Sequence, residues 1–180
     1  MKKFFLIAAM VVASLGINAQ DEAPKYEIAV AYGAGCNTDL MGSFYKGIFT
    51  GKQLDYWGPV SAEFFYRPKE KLGVGVVAGV GGCKWDDESS AKSTFISVMP
   101  AVKYNWLNKK NFSMYSKAAV GVTFVSEKGF DDNKKSDDGN VSFNFQASFV
   151  GLEFGSALRG FAEFGIGEQG MALAGIRYKF

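Results

Sequence analysis

The 180-residue chain has no histidine, only two cysteines and almost no net charge, with 20 Lys+Arg set against 18 Asp+Glu. The length suits one domain. Without imidazole, His-based triads and dyads, His-ligated zinc and haem held by a proximal His are all excluded, because no other side chain shuttles protons near neutrality unperturbed. Near-neutral charge gives no reason to expect a nucleic-acid partner, since counterion release from phosphates needs clustered Lys and Arg. Long apolar runs are also missing. The longest, residues 4–15, holds twelve residues broken only by Ser14, whereas a spanning helix needs roughly 20.

That run has the form of an address. Lys2 and Lys3 precede it and Gly16-Ile17-Asn18-Ala19 follow it, which reads as a secretory signal peptide, residues 1–19, cleaved after Ala19. The remaining residues 20–180 form the expected domain and are formally neutral, because the two excess lysines belong to the leader. No cysteine stands at the cleavage site to take a lipid anchor.

From Lys25 onward the period is two and no helical stripe is sustained. Ile28, Val30 and Tyr32 alternate with Glu27, Ala29 and Ala31; Val60, Ala62, Phe64 and Tyr66 with Ser61, Glu63, Phe65 and Arg67. Leu72, Val74, Val76 and Val80 alternate with glycines and Val77, and Ile96, Val98, Val102, Tyr104 and Trp106 with Ser97, Met99, Ala101, Lys103 and Asn105. The pattern continues through 112–124, 141–154, 159–166 and 172–180, giving eight strands. Two irregularities stand out. Pro100 cannot donate to a ladder, so a bulge or a missing bond is expected there. Parity slips after Phe149, since Val150, Leu152 and Phe154 are apolar while Glu153 is not, which predicts a bulge near Phe149.

Linkers 68–71, 107–111 and 155–158 are short, whereas 37–55, 84–92 and 127–139 are long, and only the last connection, around 168–170, is short on the long-loop side. In an up-and-down meander the short ones share one end and the long ones the other, the asymmetry of a transmembrane β-barrel. Alternation alone does not say which face is inside, and a soluble ligand-binding barrel would turn the oily face inward. The polar face is crowded with Gly, Ala and Ser between isolated charges, as a narrow lumen requires. Aromatics gather at the strand ends of the oily face: Tyr26, Tyr66, Tyr104, Trp106, Phe112 and Tyr178 toward the tight turns, Tyr32 and Phe124 toward the loops. That distribution matches interfacial girdles. The expected fold is therefore all-β, an eight-stranded antiparallel transmembrane barrel with its oily face outward.

The leader, the eight alternating strands and the terminal Ile176-Arg177-Tyr178-Lys179-Phe180 together resemble the small bacterial outer-membrane barrels of the OmpA/OmpX type. The resemblance implies residence in the outer membrane of a Gram-negative bacterium, in contact with its lipid, as a monomer. It also implies that Ile176, Tyr178 and Phe180 act as the C-terminal signal read by the barrel-assembly machinery.

The inward face collects Glu27, Glu63, Arg67, Lys103, Lys117, Glu163 and Arg177, with Arg159 beside them. Opposed charges in a narrow lumen read as a structural ion-pair network, and alternatively as a narrow pore or small-solute path. No catalytic residue, cofactor or metal ligand is assigned. Enzymatic members of the resembled class rely on a catalytic His, and Ser97 and Ser148 have no imidazole to activate them. The run 131–139 lacks the ligand order and closing Glu of an EF-hand. Cys36 and Cys83 both fall where odd-numbered strands meet long loops, so a disulfide between the first two long loops is open. Loop 37–55 carries Leu40, Met41, Phe44, Tyr45, Ile48 and Phe49, which suits either packing over the mouth or an extracellular partner. The functional expectation is a structural or surface-interaction role through the loops.

Overall fold

The computed structural model describes residues 24–35, 54–85, 92–128 and 140–180. The leader, Cys36, residues 37–53 of the first long loop and the run 131–139 lie outside the described residues, and so does the Cys36–Cys83 pairing. Eight strands follow in chain order: β1 (Tyr26–Ala34), β2 (Leu54–Lys69), β3 (Leu72–Trp85), β4 (Lys92–Asn108), β5 (Phe112–Lys128), β6 (Asn140–Gly155), β7 (Leu158–Gly167) and β8 (Ala172–Lys179). Each pairs antiparallel with its neighbours, and β8 pairs with β1 from Glu27↔Lys179 to Ala34↔Ala172, closing the barrel. Tyr26 and Phe180 extend that seam, each N–H donating to the other's carbonyl at 2.8 and 2.9 Å. Closure matters because an open sheet would leave two rows of unpaired backbone groups.

Period-two alternation determines which side chains turn inward. Glu27, Ala29 and Ala31 are buried between exposed Tyr26, Val30 and Tyr32, and Ser97, Met99, Ala101, Lys103 and Asn105 are buried between exposed Ile96, Val98, Val102, Tyr104 and Trp106. The slip at Phe149 is a bulge. Ser148 faces Gly165 while Val150 faces Phe164, leaving Phe149 as the extra residue, and Gly151 and Glu153 consequently turn inward. Pro100 produces no bulge: pairing with β5 lapses at Met99 and Pro100 and resumes at Ala101 in the same register. Prolines 59 and 68 each sit at a register shift between β2 and β3. All three strand prolines therefore stand where the ladder is interrupted, the places that tolerate a missing donor.

Several strands run further than their alternation implied. β2 begins at Leu54, not Val60, β3 continues to Trp85 and β5 to Lys128. The reason is local. Gly58-Pro59 and Gly81-Gly82 erase the side-chain pattern, yet the backbone still pairs, as Trp57↔Gly82 and Leu54↔Trp85 record. Among the described residues, 54–59 of β2 run beyond the last pair with β1, and 140–145 of β6 run beyond the last pair with β7. Strands β2–β6 thus rise past the short β7, β8 and β1 at the long-loop end. Six residues at about 3.3 Å each amount to roughly 20 Å of strand.

Large inward rings are accommodated by glycines directly across the ladder. Phe65 faces Gly75, Phe95 faces Gly81, Tyr115 faces Gly151 and Phe161 faces Gly175. A Cβ on Gly175 would stand 2.8 Å from Phe161 Cε1, and one on Gly151 would collide with the Tyr115 ring itself. Gly160 has open space where its Cβ would be. Gly151→Val is therefore expected to lower the unfolding midpoint of detergent-refolded protein by an equivalent of about 3 kcal/mol or to prevent refolding. Gly160→Ala should leave it unchanged; urea titration followed by tryptophan fluorescence separates the two.

Candidate functional site: a charge-filled lumen

Eight strands leave an interior only wide enough for side chains. Here twenty described polar or charged residues are buried against eleven apolar ones, the reverse of an ordinary core. The soluble alternative required the oily face inward, and the structure has it outward.

Arg177 on β8 stands at the centre. Its Nη2 lies 2.6 Å from Glu63 Oε2 and 3.6 Å from Glu163 Oε1, its Nη1 hydrogen-bonds Glu153 Oε1, and its Nε is 3.8 Å from Glu27 Oε2. Those four carboxylates come from β2, β7, β6 and β1. The planar guanidinium offers five donors in one fork, which suits it to several acceptors at once. Its flat faces meet aromatic rings, with Cζ 4.4 Å from the Phe161 centroid and 5.0 Å from that of Tyr115.

Two lysines repeat the theme. Lys117 Nζ hydrogen-bonds Glu63 Oε1 and lies 2.8 Å from Glu163 Oε2; Lys103 Nζ hydrogen-bonds Glu27 Oε2 and lies 3.1 Å from Glu153 Oε1. Lys103 also sits 4.6 Å from the Tyr115 ring centre. Toward the tight turns, Lys179 Nζ is 2.5 Å from Glu153 Oε2 and Arg67 Nε is 3.5 Å from Glu27 Oε1. Neutral groups complete the shell. Tyr115 OH and Ser148 Oγ each donate to Glu163 at 2.6 Å, and Gln169 Nε2 donates to Ser61 Oγ at 2.9 Å and to Glu63 Oε1 at 3.0 Å.

All seven residues assigned to the lumen from sequence, Glu27, Glu63, Arg67, Lys103, Lys117, Glu163 and Arg177, are buried and joined in one network, with Arg159 at its margin. Four members were missed. Glu153 lies beyond the bulge, where parity inverts; Lys179 shares the parity of Arg177 but stands at a strand end; Tyr115 reads as filler until its hydroxyl finds Glu163. Gln169 belongs to a turn, where alternation says nothing, and only the inward fold of the β7–β8 turn brings it to Glu63. Ile176 faces outward, and Tyr178 and Phe180 stack with ring centres 5.7 Å apart. Ser97 is buried. Among the described residues no group of three or more Cys, Asp or Glu is placed to hold a metal ion.

No family model matches the chain, and no curated protein matches it by sequence. Among solved structures it is similar to the N-terminal β-barrel domain of Pseudomonas aeruginosa OprF, at 13% identity and a TM-score of 0.45, over 88% of this chain and 100% of that one. It is also similar to Ail, the attachment invasion locus protein of Yersinia pestis, at 13% identity and a TM-score of 0.46, over 88% and 100%. The Ail backbone structure in a phospholipid bilayer nanodisc gives 13% and 0.46, over 87% and 99%. Nothing about activity follows at such values, and the closed eight-stranded barrel stands on its own pairing.

Removing one partner of a buried ion pair costs about 3–5 kcal/mol, because the remaining charge is left uncompensated. Arg177→Met, which takes one cation from four carboxylates that each keep a lysine, is expected within that range, and Arg177→Met with Glu153→Gln should be less damaging than the sum of the two changes. Asn105 is fully buried with neither amide atom hydrogen-bonded within the protein. Asn105→Leu keeps the shape and removes the desolvation cost, so it should raise the unfolding midpoint by an equivalent of about 1–2 kcal/mol.

Proposed function

We propose that the protein is a bacterial outer-membrane β-barrel that does structural or surface-interaction work through its long-loop end. One observation carries this reading: a closed barrel whose outer face is an apolar band and whose interior is charged. Phe143, Phe149, Phe164 and Ile176 point away from the barrel and are more than half exposed. In water such a band would be an aggregation surface; in a bilayer it is the expected lipid face, and closure of β8 onto β1 removes the open sheet edges that lipid could not satisfy. Tyr26 stacks on Phe180 at 5.7 Å and contacts Tyr66 at 5.4 Å, and Phe112 meets Phe154 at 4.9 Å, forming an aromatic belt near the tight turns.

The surface role is supported by the uneven wall. β2–β6 continue past β7, β8 and β1 at the end where the three long connections join, so those connections start from a raised, paired edge. Loop 37–55 supplies the apolar groups for a partner. Export by the leader 1–19, a monomeric state and recognition of Ile176, Tyr178 and Phe180 by the barrel-assembly machinery belong to the same proposal. So does the absence of enzymatic activity.

The pore reading is disfavoured by Arg177, Tyr115 and Phe161, which fill the lumen at one level while joined to carboxylates on four strands. Purified protein is expected to migrate differently in detergent gels before and after heating, to fractionate with outer membranes, and to give no steady porin-sized current in planar bilayers. Recovery in the soluble periplasmic fraction would overturn the proposal. Exchange of loop 37–55 should abolish adhesion of expressing cells without changing heat-modifiable migration.

A further inference from the structure

The tight-turn end is basic. Lys69 closes β2, Glu70 and Lys71 make the β2–β3 turn, and Lys109 and Lys110 begin the β4–β5 connection; all five side chains are exposed. Four cations thus stand against one acid. The two turns lie two strands apart, roughly 10 Å at about 4.8 Å per strand. Between them Lys71 O accepts the N–H of Asn105 at 2.7 Å, and Trp106, at the register shift between Asn105 and Leu107, projects outward and is half exposed.

Both turns are held from inside the lumen. Arg67 Nη2 donates to Glu70 O, while Arg159 Nη2 donates to Lys110 O at 2.9 Å and its Nε to Ser156 O at 2.9 Å. The turn carbonyls are therefore occupied by buried guanidinium groups, and the lysine side chains are left on the outside of a fixed frame. Those guanidinium groups add positive charge directly behind the lysines.

Depth points to the ligand. Tyr66, Tyr104 and Trp106 are exposed on the outer face within a few residues of the four lysines. Amphipathic rings settle between headgroups and hydrocarbon, so lysines just beyond them lie level with lipid phosphates, which their flexible stems can reach. Resting on the membrane reading above, we infer that the two turns and Trp106 form a headgroup site for an anionic phospholipid of the leaflet that the tight turns face. Lys69 and Lys71 approach the phosphate from one side, Lys109 and Lys110 from the other, and the Trp106 indole N–H supplies a neutral donor between them. A soluble polyanion would need the lysines but not the girdle.

The test uses the protein in phosphatidylcholine nanodiscs containing a minority of phosphatidylglycerol, with the lipids that stay bound on release counted by native mass spectrometry. Each lysine near an anionic surface is worth about fivefold in partition at physiological salt. Wild type is expected to retain phosphatidylglycerol at least about fivefold above its share, less so as salt screens the site. The quadruple variant Lys69→Gln/Lys71→Gln/Lys109→Gln/Lys110→Gln, checked as folded by heat-modifiable migration, should retain it near its share, and Trp106→Leu should fall between. Equal retention by wild type and the quadruple variant would overturn the inference while leaving the membrane reading intact. So would lysine-dependent binding of inorganic polyphosphate in pure phosphatidylcholine discs without lipid enrichment, which would assign the turns to a soluble polyanion. Failure of folded protein to enter nanodiscs would overturn both.

Discussion

Everything in the lumen depends on four buried glutamates that no single pair of strands can neutralise. Glu27, Glu63, Glu153 and Glu163 come from β1, β2, β6 and β7, and Arg177 on the last strand reaches all four. An isolated carboxylate in such a place is far too costly to keep charged. Lys103 and Lys117 each bridge two of the glutamates, and β8, on closing onto β1, delivers Arg177 as the cation that joins the two sets. The network's longest hydrogen-bonded link, Arg177 to Glu63, spans 114 residues of sequence. Contacts of that separation reward the chain only after loop closure has been completed, which makes for late, cooperative consolidation. Buried ion pairs contribute little net stability when compared with apolar packing. Here they contribute specificity, because a barrel with a strand missing or a register slipped leaves a charge unpaired.

The steric part of the structure serves the same end. Arg177 lies against the Phe161 and Tyr115 rings, which have room because Gly175 and Gly151 stand across the ladder from them. Lys103 also lies against Tyr115, together with Phe65, which rests on Gly75. Glycine in a strand ordinarily weakens it, and the loss is offset where a ring covers the bared backbone. Gly75, Gly151 and Gly175 thus answer the demand for large cation-binding rings inside a narrow tube.

This division of labour explains how much the sequence could reveal. Alternation is a strict consequence of strand geometry, so the inward and outward faces of Glu27, Lys103 or Trp106 were legible, and so was the bulge at Phe149, because a bulge inverts parity for every later residue. Strand ends were not. At Gly58-Pro59 and Gly81-Gly82 no side chain reports its face, while backbone pairing persists. The joining of the network was legible as a set of opposed charges but not as a graph, since which carboxylate meets which cation depends on shear around the barrel. Gln169 shows the limit most clearly: its place beside Glu63 follows from the depth to which one turn folds, a quantity that no local pattern encodes.

That turn also accounts for the asymmetry of the wall. β7 and β8 are short because their connection bends into the mouth instead of rising above it, with Gly167 at φ 140° and Gly170 at φ 115° in backbone conformations that other residues rarely adopt. Gln169 N–H is held at 2.8 Å by Gln146 Oε1, and Gly170 O by Gln146 Nε2 at 3.2 Å. The bent turn therefore completes the polar filling from above while Arg67 and Arg159 complete it from below by gripping the tight turns. Between those two seals the lumen is filled by side chains joined mainly to one another.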